Sequence, residues 1–71
     1  MDIKLSFRVN LVLIAEMAYN QMIPIPSVGD EVVVGPLVLK VIDRAFVYPD
    51  PKAPRLPDSA DIEVRFLCEK V

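Results

Sequence analysis

The chain has no histidine, no tryptophan, one cysteine and two glycines among its 71 residues. Without histidine the usual acid/base of neutral pH is missing, and so is the base of a Ser-His or Cys-His pair. A lone Cys68 excludes an intramolecular disulfide framework, and with no CxxC and no histidine no zinc site is expected. The two glycines, Gly29 and Gly35, form neither G-x-G-x-x-G nor G-K-[ST], so no phosphate-cradling loop is present. No long apolar run occurs either. Lys4 and Arg8 precede Leu11 to Ala15, but Glu16 interrupts that run and no small-x-small cleavage site follows, so neither a cleaved signal nor a membrane span is expected. A reducing cytoplasm fits the single cysteine.

What the chain has in excess is aliphatic side chain. The apolar fraction is 54%, above the roughly 45–50% of soluble domains. A single domain of this size hides only about 60% of its unfolded surface. Surplus Val, Ile, Leu and Met should therefore remain outside as a patch, and such patches mark partner surfaces. A second copy of the chain is the commonest partner, so a homo-oligomer is expected. Eight basic and ten acidic residues leave a net charge of -2, which offers phosphate backbones no long-range attraction.

Periodicity predicts an all-β domain over 1–71 of about five short antiparallel strands, arranged as a small open barrel or strongly bent sheet. In "DIKLSFRV" Ile3, Leu5, Phe7 and Val9 alternate with Asp2, Lys4, Ser6 and Arg8, the pattern of a half-buried strand. The next stretch, 11–21, admits two readings. As a strand after a tight turn near Asn10 it places Leu13, Ala15, Met17 and Tyr19 on one face. As a helix, which would make the fold α+β, it has good helix formers but no clean polar stripe. The strand is preferred.

Pro24 and Pro26 make "IPIPSVGDEV" a crossover or sheet edge. Turns are expected at Gly29–Asp30 and at Gly35–Pro36. "LVLKVIDRAFVY" reads as a longer strand with a bulge or strong bend near Asp43 and Arg44. In the closing strand "DIEVRFLCEKV" Ile62, Val64, Phe66 and Cys68 share a face, which makes Cys68 a buried small hydrophobe rather than a nucleophile. Between these last two strands stand Pro49, Pro51, Pro54 and Pro57, four prolines in nine positions. They forbid a helix or ladder there and lower the entropy of the unfolded chain, so a stiffened connection is the expected reading.

With "PSVGDEVVV", a turn, "VLKVIDRAFVY" and a closing alternating strand, residues 26–71 resemble small SH3-like β-barrels. They also resemble a loose group of short bacterial proteins, often carried on phages and mobile elements, that have a Pro-x-Val-Gly-Asp turn and a variable proline loop. The resemblance implies architecture and no particular activity.

No catalytic, cofactor-binding or metal-binding residue is expected. Asp58 with Asp61, and Asp30 with Glu31, are the nearest carboxylate pairs, and turns use such spacings routinely. The expected function is a non-enzymatic interaction module that associates with itself or with another protein. The alternative is a small-barrel nucleic-acid binder, for which Lys40, Arg44, Lys52, Arg55 and Arg65 supply charge and Phe46 and Tyr48 supply stacking surfaces. The residues expected to contact a partner are Arg44, Phe46 and Tyr48 on one strand, with Lys52, Arg55 and Leu56 in the proline loop.

Overall fold

A computed structural model describes residues 2–53 and 60–71. These residues form five strands and no helix: β1 (Ile3–Val9), β2 (Val12–Tyr19), β3 (Glu31–Val34), β4 (Leu37–Val47) and β5 (Ile62–Lys70). They form one strongly curled, half-open barrel in the order β2-β1-β5-β4-β3. The all-β expectation holds, and residues 12–19 are strand rather than helix.

One expectation needs correction. The sheet is mixed, because β1 and β5 run parallel while the other three pairs are antiparallel. Local alternation cannot report this. Parallel neighbours need a long connection, and here β2, β3 and β4 all lie between β1 and β5 in the chain. The parallel pair is tied at its start, where Asp61 N–H donates to the Asp2 carbonyl (2.9 Å) and the Asp2 N–H donates back to Asp61 Oδ2 (2.8 Å).

Both hairpins close in two residues. Asn10 takes φ 56° and Gly35 takes φ 58°, each as the first central residue of its turn. The right-handed twist of paired strands favours turns with a positive φ there, and Asn and Gly bear that conformation at least cost. The Val28–Gly29 corner is different. Asp30 N–H donates to the Ser27 carbonyl (3.0 Å), Gly29 takes φ 96°, and Asp30 Oδ2 accepts from Ser27 N–H (2.8 Å). Positive φ at the third residue of a four-residue turn calls for glycine, which is the physical content of the Pro-x-Val-Gly-Asp pattern.

The inner face carries Ile3, Leu5 and Phe7 of β1, Leu39 and Val41 of β4, and Val64, Phe66 and Cys68 of β5, all buried. The coil from 20 to 30 joins the two edge strands, and its Ile23 and Ile25 pack against this cluster. Pro24 and Pro26 hold that coil extended. Burial raises the Cys68 thiol above its ordinary value, in keeping with a small apolar core residue.

Two bulges change which residues share a face. The first lies opposite Phe7 and Arg8, where Phe7 pairs Ala15 but Arg8 pairs Leu13, leaving Ile14 extra. Leu13 therefore stands opposite Arg8, away from Ala15 and Met17, contrary to the uninterrupted alternation expected for this strand. The second lies in β4, where Val41 pairs Cys68 and Asp43 pairs Leu67, leaving Ile42 extra. The bend expected near Asp43 is this bulge.

Candidate interaction surface

Edge strand β2 pairs with β1 alone. Its eight residues, VLIAEMAY, contain one charge, Glu16, and no proline or lysine. The opposite edge, β3, has only four residues. Sheet edges are normally blunted by brevity, charge or proline, and β2 lacks these apart from Glu16 and its bulge. Exposed apolar side chains collect at its start, with Leu11 95% and Val12 61% exposed.

The strand β4 bulge decides the fate of the residues expected to contact a partner. Beyond it, Arg44 pairs Phe66 and Phe46 pairs Val64, so both lie on the inner side, while Lys40, before it, pairs Glu69 on the outer side. Arg65 pairs Ala45, also on the outer side. The basic residues grouped by the sequence reading are thus divided between two faces. Arg44 is also occupied. Its Nη1 donates to the Pro26 carbonyl at 2.9 Å, and its guanidinium lies 5.1 Å from the Phe46 ring centroid. Phe46 and Tyr48 remain exposed beside it. Lys52 lies in an exposed turn where its N–H donates to Asp50 Oδ1 (2.9 Å). Arg55 and Leu56, with Pro54 and Pro57, lie outside the described residues.

The outer face is organised by charge around its middle. Lys4 Nζ pairs Glu16 (3.1 Å) and approaches Glu63 (3.8 Å), and Glu63 also accepts from Arg65 Nε (2.9 Å). Such solvent-facing pairs contribute little stability, but they show where these charges are directed. Ser6, on the polar side of β1, is fully buried, contrary to the solvent-facing reading of that side. It stands in register with Glu16 and Arg65, two residues from Lys4 and Arg8, and long aliphatic stems can cover so small a side chain.

Beside this cluster Arg8, Asp43 and Arg65 surround an open hollow of about 140 Å³ whose lining includes Ala45, Phe66 and Leu67, with Arg44 contributing at the strand. Arg8 Nε is buried and has no hydrogen-bond partner among the described residues, and neither has Ser6 Oγ. Sequence reading missed this place. Arg8 had the look of an ordinary polar residue on an alternating strand, and only the pairing of β1 with β5 and β5 with β4 brings it near Asp43.

No helix among the described residues is long and apolar enough to cross a membrane. No family model, curated protein or solved structure matches this chain.

Proposed function

We propose that this chain is a non-enzymatic interaction module that associates with a second copy of itself through edge strand β2. The observation that carries this reading is the edge itself, eight residues long, with one charged side chain and unpaired on its outer side. Backbone pairing along such an edge supplies the hydrogen bonds that β-strand addition uses, and Leu11 and Val12 add exposed apolar area next to it.

The nucleic-acid alternative has the exposed aromatics Phe46 and Tyr48 in its favour. It draws less support from charge, because Lys40 and Arg65 sit on the other face from Arg44, whose guanidinium is already held by Pro26 and Phe46.

Light scattering at micromolar concentration should report a dimer. Val12→Lys with Ala18→Lys, both at exposed β2 positions, should convert it to a monomer with an unchanged circular dichroism spectrum. A wild-type monomer at all accessible concentrations, or a dimer indifferent to the two lysines, overturns the proposal.

A further inference from the structure

Among the described residues, Arg8 Nε is a buried N–H without an acceptor. Its strand neighbours in register are Leu13 and Leu67, neither of them a carboxylate, and the ion pairs of this face among the described residues are made by Lys4, Glu16, Glu63 and Arg65. A buried N–H of a charged group left without a partner is costly. Asp43 occupies the other side of the hollow. Its Oδ1 accepts the Arg44 N–H at 2.8 Å, while Oδ2 has no hydrogen bond among the described residues.

Arg8, Leu67 and Asp43 lie in one row across β1, β5 and β4, which sets their backbones roughly 10 Å apart at the usual strand spacing. The two charges face the same hollow yet form no ion pair among the described residues. The lining also includes the outer-face residues Ala45 and Leu67. Arg65 adds a second guanidinium, though its Nε is engaged by Glu63.

We propose that this hollow binds a small zwitterion, an α-amino acid with a short apolar side chain, whose carboxylate is taken by Arg8 and Arg65 and whose ammonium is taken by Asp43. A simple carboxylate would satisfy the arginines but bring its charge near Asp43. A simple amine would do the reverse. A ligand that carries both charged groups on one carbon satisfies both ends, and the apolar lining accommodates its side chain. Size sets the upper limit, since the volume is about 140 Å³ against the roughly 300–1,000 Å³ of pockets for drug-sized ligands. The second buried polar atom without a partner among the described residues, Ser6 Oγ, is in register with Arg65 and two residues from Arg8, next to the hollow but outside its lining. The inference stands apart from self-association, because the hollow is built on β1, β5 and β4 rather than on the β2 edge.

Backbone-amide NMR titrations of the full chain with L-alanine, propionate and ethylammonium test it. Alanine should shift the amides of Arg8, Ala45 and Leu67 saturably, and the two half-ligands should bind at least about tenfold more weakly, equivalent to about 1.4 kcal/mol. Asp43→Asn should bring alanine down to the level of propionate, and Arg8→Gln should abolish the shifts. Asp43 is exposed, so its variant keeps the test valid should Arg8→Gln fail to fold. Propionate binding as tightly as alanine, an Asp43→Asn chain with undiminished affinity, or no saturable shift with any probe overturns the proposal. Light scattering on the same samples reads association separately.

Discussion

The rings of Phe7 and Phe66 stack with centroids 4.8 Å apart and planes 11° from parallel. They face each other in register across β1 and β5, the one parallel pair. Both are almost completely buried, so this contact joins the β1–β2 hairpin to the rest of the sheet at its centre.

Phe66→Ala should cost about 3–5 kcal/mol. A chain of this length has roughly 4–11 kcal/mol in total at the usual stability per residue, so the loss is a large share of the whole and the denaturation midpoint should fall steeply. Phe66→Leu should be milder. A double-mutant cycle with Phe7→Leu should give a coupling of about 0.5–1.5 kcal/mol beyond area burial, read by urea denaturation. A coupling near zero would show that the rings act only as separate apolar side chains.

Arg44 fastens the 20–30 coil to the sheet through the Pro26 carbonyl and lies over Phe46. Arg44→Ala should cost about 1–3 kcal/mol, the value of a charge-assisted hydrogen bond to a part-buried carbonyl, with a share of about 0.5–1 kcal/mol from the ring contact. Hydrogen exchange should quicken at Gly29 and Val41, whose N–H groups bond across this junction. Exchange unchanged there after a loss of stability would place the effect elsewhere.

Cys68 should make the fold sensitive to alkali. Burial raises the folded thiol above its ordinary value of 9.0, so the folded chain holds the thiol proton more tightly than the unfolded one. The stabilisation is complete below pH 9 and is lost as pH rises from 9.0 through the folded value. Denaturation midpoints should fall over that window, and Cys68→Val should remove this component. A thiol reagent should react with the native chain only as fast as it opens.

Alternation in 2–9 and 62–70 was enough to assign two strands and the face that Ile3, Leu5, Phe7, Val64, Phe66 and Cys68 share, because side-chain direction in a strand is a local property with a period of two. Proline and glycine chemistry likewise placed a crossover or sheet edge around Pro24 and Pro26 and the turn at Gly35, since each limits the backbone through its own covalent structure. Which strands become neighbours is not local. The parallel β1–β5 pair depends on segments more than fifty positions apart, and nothing in either strand's alternation specifies its partner. The Ile14 and Ile42 bulges were equally decisive, for one extra residue sends every later side chain to the other face. That is why Lys40 and Arg44 separate, why Leu13 meets Arg8, and why Arg8 comes to share a hollow with Asp43. The alternating pattern determined a sheet with one apolar face, and tertiary pairing alone decided which polar groups on the other face were left without partners.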